Sequence, residues 1–169
     1  NNLKILITKL SSCARMALEK SANSCIAQQN YEIEIEHFFL ELLQQTSKND
    51  LQLLLAKYKI STDGLIDDLK QSIAQLPKGN NRTPVFAKSI IHLLEQAWLL
   101  ASAEQKPVIR SGHLLVVLLT ASDLYQIAGR ASSLFDLFPI DTMKHHFLEI
   151  CLHSIEHQSE QVLDNHHPT

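Results

Sequence analysis

Apolar residues follow a helical period along most of this chain. Near its start, Ala14, Leu18, Ala22 and Cys25 recur at helical spacing on one stripe. The runs 38–43 and 114–119 are apolar almost all round, which is typical of buried helices. The 169 residues include only 4 Gly and 5 Pro, fewer turn residues than a β-sandwich or a Rossmann-type sheet needs. The pattern therefore predicts an all-α fold.

One helical motif occurs twice. When the sequence is shifted against itself by 76 positions, residues 13–43 fall on 89–119 without a gap. Eight of the 31 aligned pairs are identical, among them Leu18 with Leu94 and His37 with His113. The match predicts two copies of one structural unit.

Each copy is predicted to contain four helices. The first helix of copy one covers about 11–29, and its counterpart in copy two carries the stripe Ile90, Leu94, Trp98 and Ala101. Short breaks follow at 30–32 and 106–108. The third and fourth helices are predicted at about 50–58 and 61–74 in copy one, and at about 122–135 and 139–157 in copy two.

The second helix of each copy begins differently. It starts near Glu36 in copy one and near Gly112 in copy two. Ser111 is the expected N-cap in copy two, because its hydroxyl can accept an early backbone N–H. Ile35 holds the equivalent place in copy one and cannot cap.

Three further segments lie before, between and after the two copies. Residues 1–10 are predicted to form an extra N-terminal helix with Leu3, Ile7 and Leu10 on one side. Pro, Gly and Asn cluster in 77–84, which is interpreted as a linker between copy one (11–76) and copy two (85–157). Residues 158–169 are polar and are interpreted as a tail or linker. Since the chain does not begin with Met, we expect a processed or partial chain.

Charge and motifs argue against several functions. The net charge of −3 comes with no basic block, so nucleic acid is a poor candidate partner. No apolar stretch reaches the roughly 18 residues of a membrane span. Three cysteines without a CxxC motif favour a reduced, cytoplasmic setting. The motifs GxxxxGK(S/T), GxGxxG and HExxH are absent, so the chain by itself is predicted not to be an enzyme.

The histidines leave a metal site as an alternative. His37 and His113 begin equivalent buried helices, and hydrogen bonds within their own repeats explain them better than metal binding. His153 and His157 are four positions apart, so a helix would place them on one face, where they could chelate a metal. Because the helix that carries them is expected to be solvated, we predict no metal.

Acidic residues leave a catalytic alternative. Glu32, Glu34 and Glu36 alternate just before a predicted helix. A catalytic carboxylate pair is one reading of this pattern. Negative charge near the positive end of a helix is the preferred one.

One stripe of the first helix suggests binding. Copy one carries small residues, Ala17, Ser21, Ala22, Ser24 and Cys25, where copy two carries Leu93, Ala97, Trp98, Leu100 and Ala101. We expect Ala17, Ser21 and Ser24 to point outward and to leave a shallow trough for another helix. Phe86, four residues before Ile90, is either a staple for its own helix or the wall of this groove.

The two copies resemble the double N-terminal domain of Clp-type AAA+ chaperones. The resemblance covers about residues 10–155 and is carried by IEHFFLELL at 35–43 and IRSGHLL at 109–115. Ile35 departs from the family pattern, in which Thr or Ser commonly caps this helix. Within the family the chain is most similar to the type VI secretion branch, ClpV, through CAR at 13–15, ALE at 17–19, YEIEIEH at 31–37, RTPVF at 82–86 and QAWLLAS at 96–102.

This resemblance implies a fold and a function. The fold would be two pseudo-symmetric four-helix repeats in one domain, with an extra N-terminal helix. The domain would bind an N-terminal helix of the large type VI sheath subunit in a hydrophobic groove, so that contracted sheath is disassembled in the bacterial cytoplasm. ATP, Mg and hexamer formation would belong to ATPase rings outside this chain. The alternative is a generic substrate- or adaptor-binding domain of a Clp disaggregase or protease chaperone.

We place the expected groove between the first helices of the two copies. Its partner would be a protein helix, with no cofactor, metal, nucleic acid or membrane involved, and its affinity would be micromolar. The candidate contact residues are Ala17, Ser21, Ala22, Ser24 and Cys25 on the floor, Phe86 and Ile90 at one edge, and Leu3 and Ile7 at the other.

Overall fold

A computed structural model describes residues 2–158 of the chain. Helix α1 (Asn2–Lys9) precedes two repeats of four helices each. Repeat one contains α2 (Ser12–Ala27), α3 (Ile35–Leu43), α4 (Asp50–Lys57) and α5 (Thr62–Ala74). Repeat two contains α6 (Lys88–Ala103), α7 (Ser111–Thr120), α8 (Ser122–Ala131) and α9 (Ile140–Ile150), with a 3₁₀ turn at Ser133–Leu137. Two short strands, β1 (Glu32–Ile33) and β2 (Val85–Phe86), are absent from the predicted pattern.

The second helix of each repeat lies at the centre of the fold. Every residue of α3 except Glu41, and every residue of α7 except Thr120, is buried. This confirms the prediction from their nearly unbroken apolar runs. Helices α2 and α5 pack on α3, helices α6, α8 and α9 pack on α7, and α4 packs on both α7 and α9. The contact of α4 with α7 and α9 joins the two repeats.

Histidines complete the starts of both central helices. The N-cap positions are held by Glu34 and Arg110. The His37 Nδ1 accepts the Glu34 N–H at 2.9 Å, and the His113 Nδ1 accepts the Arg110 N–H at 2.9 Å. The prediction of Ser111 as N-cap is wrong, because Ser111 is already the first residue of α7 and its hydroxyl contacts neighbouring elements.

The end of repeat two differs from the predicted helices. The segment predicted as one helix at 122–135 is α8 followed by the 3₁₀ turn, and α9 ends at Ile150 instead of continuing to 157. Residues 151–154 form a turn, and 155–158 are helical again. His153 and His157 therefore do not share one continuous helix, so their expected common face is wrong.

Two backbone bridges between the repeats follow the same 76-residue shift. Strands β1 and β2 pair in parallel with Ile33 opposite Phe86. In the other half Leu10 lies opposite Ile109, whose carbonyl accepts the Ser11 N–H at 2.8 Å. A shift of 76 positions aligns Leu10 with Phe86 and Ile33 with Ile109, so the two bridges are equivalent. Each repeat thus binds the segment that precedes the first helix of the other.

In the described part of the chain, the helices are each too short or too polar to span a membrane. Among residues 2–158, no single helix has the length and apolar composition of a membrane span. Within that same range, α7 and α8 reach the length only when taken together, and they are bent by 99° at their junction. Of the predicted tail 158–169, all but Gln158 lies outside the described residues.

Candidate partner-binding surface

The small residues of α2 are used mainly inside repeat one. Ala14 and Leu18 lie in the core, and Cys25 is fully buried, so the expectation that Cys25 lies on a groove floor is wrong. Ala17 and Ser21 are also fully buried, so the expectation that they point outward is wrong. The Ser21 hydroxyl donates to the Ala17 carbonyl at 2.7 Å, within the helix itself. Because α3 packs along this stripe, the small side chains let two helices of the same repeat approach closely.

The remaining candidates do not form one groove. Ile90 is fully buried and cannot be a groove edge. Leu3 and Ile7 are half-buried against the core and hold α1 in place. Ala22 and Ser24 are both half-buried. Two positions along an α-helix are about 200° apart, so these two side chains lie on opposite flanks of α2.

The position of Phe86 agrees with both of its predicted roles, a staple for its own helix and a wall of the groove. It is half-buried, packs against the core and pairs with Ile33 through the backbone. Its ring therefore supports the start of repeat two and still keeps an exposed edge. The structure is compatible with both the staple and the wall interpretation.

Helix α1 covers one flank of α6. Leu6 is buried under this contact. The Lys9 Nζ lies 5.1 Å from the centre of the Trp98 ring, a cation–π distance. Trp98 is the repeat-two equivalent of Ala22. One flank of α6, marked by Trp98, thus has a helix lying on it.

The equivalent flank of α2 has no helix lying on it among the described residues. We call this surface the α2 face and define it by Ala22, Ile26 and Val85, the last being the repeat-one equivalent of Lys9. Ile26 is 53% exposed and Val85 is 62% exposed. An extended segment crosses only the end of α2, where the Asn80 N–H donates to the Gln29 carbonyl at 2.9 Å.

The buried histidines act within their own repeats, which confirms that prediction. His37 Nε2 is 2.9 Å from the Asn30 Oδ1, and burial lowers the pKa of His37 to about 4. His113 Nε2 is 3.0 Å from the Glu104 Oε1. The His37 ring joins the start of α3 to the loop that follows α2. The His113 ring joins the start of α7 to the end of α6.

The alternating glutamates surround the start of α3. Glu32 is exposed, whereas Glu36 is buried and accepts the Ser72 hydroxyl at 3.3 Å. Burial, with Glu36 and Glu32 nearby, raises the pKa of Glu34 to about 7. Glu34 is the N-cap residue and Glu36 lies in the first turn, so both carboxyl groups lie at the helix N-terminus, where the preferred interpretation places them. Burial raises the pKa of Glu36 as well, so the helix N-terminus does not fully offset the loss of solvent at either group.

The potential metal ligands of the described chain are not grouped into one site. Within residues 2–158 no group of three or more His, Cys, Asp or Glu side chains is placed to hold a metal ion. His157 instead has its Nδ1 3.1 Å from the Arg110 Nη1, and His153 is exposed.

Comparison with known proteins identifies the family. Residues 9–131 match the Clp repeat (R) N-terminal domain, so the chain belongs to that family. Within it the chain belongs with the N-domains of ClpV. A ClpV N-domain solved in complex with a VipB peptide is 33% identical with a TM-score of 0.79, over 91% of this chain and 94% of that one. The N-domain of ClpV from Vibrio cholerae is 31% identical with a TM-score of 0.77, over 91% and 92%.

A curated full-length relative is much longer than this chain. Chaperone protein ClpB of Yersinia enterocolitica is 28% identical over 145 residues. The match covers 85% of this chain and 16% of ClpB. The chain thus spans only a small part of the length of this full-length chaperone.

Proposed function

We propose that this chain is the recognition domain of a type VI secretion ClpV chaperone, and that it binds an N-terminal helix of the large sheath subunit. The ClpV N-domain of 33% identity that was solved with a VipB peptide supports this choice of partner. The recognition mode is an amphipathic helix lying in an apolar groove. The domain binds and does not catalyse, and the ATPase activity of the parent chaperone, with its ATP and Mg, belongs to other parts of that protein.

The observation that carries the proposal is the unequal covering of two equivalent flanks. On repeat two the flank of α6 carries α1, with Lys9 over Trp98. On repeat one Ala22 replaces the tryptophan, and Val85 replaces the lysine. An apolar strip formed by Ala22, Ile26 and Val85 is therefore left without a covering helix on α2 among the described residues. We propose this α2 face as the binding site, with the exposed edge of Phe86 at its border.

This site revises the nine candidate residues. Ala22 and Phe86 remain direct contacts, and Ile26 and Val85 join them. Leu3 and Ile7 act indirectly, because they position α1. Ser24 lies on the opposite flank of α2 and is not a contact in this proposal. Four other candidates are buried and cannot contact a partner: Ala17, Ser21, Cys25 and Ile90.

The proposed contact is small, so one domain should bind weakly. Apolar burial contributes about 25 cal/mol per Å², and ordering and association costs remove most of the gain. We expect micromolar affinity. A hexamer assembled through ATPase rings would engage a repetitive sheath at several points and gain avidity. The location would be the bacterial cytoplasm, and the division into 1–10, 11–76, 77–84, 85–157 and 158–169 remains part of this proposal.

Peptide titration tests the site. Ala22→Trp places on α2 the side chain that α6 carries at the equivalent position, and it should weaken binding of a synthetic sheath N-terminal peptide at least tenfold. Ala103→Trp is the matched control, because Ala103 is an exposed alanine near the end of α6. If Ala22→Trp binds as the wild type does, the α2 face is not the site.

A second candidate is generic substrate docking, which the 28% identity to ClpB favours. The same titration separates the two functions. Sheath recognition requires saturable binding of the helical peptide and much weaker binding of an unrelated unfolded chain, such as reduced and carboxymethylated α-lactalbumin. Equal binding of both would support generic docking.

A further inference from the structure

The carboxylate of Glu156 is buried at the start of three helices. It is 1% exposed. Its Oε1 accepts the Ser11 hydroxyl at 2.7 Å and the Ser111 N–H at 2.6 Å, and its Oε2 accepts the Asp50 N–H at 2.9 Å and the Ser111 hydroxyl at 2.6 Å. Ser11 is the N-cap of α2, while Asp50 and Ser111 are the first residues of α4 and α7. Helix N-termini favour negative charge, so one carboxylate serves both repeats.

Arg110 binds the chain on both sides of Glu156. Its Nε and Nη2 donate to the two carboxylate oxygens of Asp50 at 2.9 and 2.8 Å. Its Nη2 also donates to the Cys151 carbonyl at 3.2 Å, and its Nη1 lies 3.1 Å from the His157 Nδ1. Residues before and after Glu156 are thus attached to the same buried ion pair.

Few apolar side chains hold this segment. Within residues 151–158, the polar Ser154 and Glu156 are buried, Cys151 is the one fully buried apolar side chain, Ile155 is half-buried and Leu152 is 54% exposed. Burial beside Asp50 raises the pKa of Glu156 to about 7, which means that its charge is costly to keep there. Segments with few buried apolar contacts open at low free energy. The attachment therefore depends mainly on polar contacts, those of the Glu156 carboxylate and those that Arg110 makes with Cys151 and His157.

We propose that residues 151–158 form a C-terminal strap, which Glu156 holds against the starts of α2, α4 and α7 and which opens as a unit while both repeats stay folded. When closed, the strap runs past Lys48, whose carbonyl accepts the Ile155 N–H at 2.9 Å. When open, the chain leaves from the end of α9, and the freed residues extend its reach by up to about 26 Å at roughly 3.3 Å per residue. Opening thus moves the point at which the chain leaves the folded domain from Gln158 back to the end of α9.

Native-state hydrogen exchange of the wild type tests the opening. Strap amides should exchange at least tenfold faster than those at the centres of α3 and α7, and their rates should respond little to low urea. This result would identify a local opening separate from global unfolding. If strap amides exchange only with the global unfolding transition, the proposal fails. The measurement needs no partner, so it is independent of the proposed function.

The role of Glu156 is tested by Glu156→Gln. The amide nitrogen of glutamine cannot accept the N–H groups that the carboxylate binds, so strap exchange should rise at least tenfold while the centres of α3 and α7 stay protected. Glu149→Gln is the matched control, because Glu149 lies exposed near the end of α9. Wild-type exchange rates in Glu156→Gln, or equal acceleration in both variants, would contradict the anchor role.

Discussion

At the scale of single residues, His37 is defined by the hydrogen bonds of both ring nitrogens. Because Nδ1 accepts the backbone N–H of Glu34, the neutral ring carries its hydrogen on Nε2, which donates to the Asn30 Oδ1. Protonation would add a hydrogen to Nδ1, so that two donors, this N–H and the Glu34 N–H, would face each other and their hydrogen bond would be lost. The start of α3 therefore requires a neutral imidazole.

The pKa of His37 is the first residue-scale prediction. Burial lowers it to about 4 from an ordinary 6.5. The contribution of His37 to stability is thus complete above pH 6.5 and is lost as the pH falls toward 4. NMR titration of the ring hydrogens should give a midpoint near 4. A midpoint near 6.5 would contradict the buried, doubly bonded ring.

Gly112 gives a second residue-scale prediction, because the Phe147 ring lies against its Cα. A Cβ at this position would collide with that ring and contact the Asp50 Oδ2. Gly112→Ala should lower the free energy of unfolding by about 1–3 kcal/mol, as overpacking does. Gly129→Ala is the control, since nothing lies within 4 Å of its added Cβ, and it should stabilise α8 by about 0.5–1 kcal/mol. Equal effects in urea unfolding would contradict this packing.

At the scale of elements, the sequence predicts the long helices well and the short elements poorly. The central helices are read correctly because their apolar runs have no polar side. Strands β1 and β2 have two residues each, too few to display a period of two. The sequence does not predict the end of α9, because the polar residues after Ile150, including the buried Glu156, have the pattern of a solvated helix face when no neighbour is known.

The packing of α2 on α3 gives an element-scale prediction. Ser21 is fully buried on α2, and α3 packs on this helix, so Ser21→Leu should cost about 1–3 kcal/mol of stability. Asn23→Leu adds similar bulk at an exposed position of the same helix and should change stability by less than about 0.5 kcal/mol. Chemical unfolding of both variants measures the difference. If Ser21→Leu is as stable as the wild type, the stripe faces outward after all.

At the scale of the whole molecule, pseudo-symmetry explains what could be predicted about the site. The sequence alone reveals the repeat, and with it the replacement of Trp98 by Ala22. It does not reveal that α1 lies on α6, because Leu3 and Ile7 identify an amphipathic helix without saying which surface receives it. Nor does the sequence show that Ala17 and Ser21 are buried inside the repeat whereas Ala22 reaches the surface. The α2 face becomes visible only when the two flanks are compared in three dimensions.

The most direct test of the α2 face is to map a bound sheath N-terminal peptide by NMR. Amide shifts of the ¹⁵N-labelled domain would be followed during titration, with the wild type and Ala22→Trp compared. The largest shifts should lie around Ala22 and Ile26 in α2 and around Val85 and Phe86 in β2, and they should shrink in the variant. Saturable shifts concentrated instead on the outer side of α6, around Leu99 and Leu100, would contradict the proposed site.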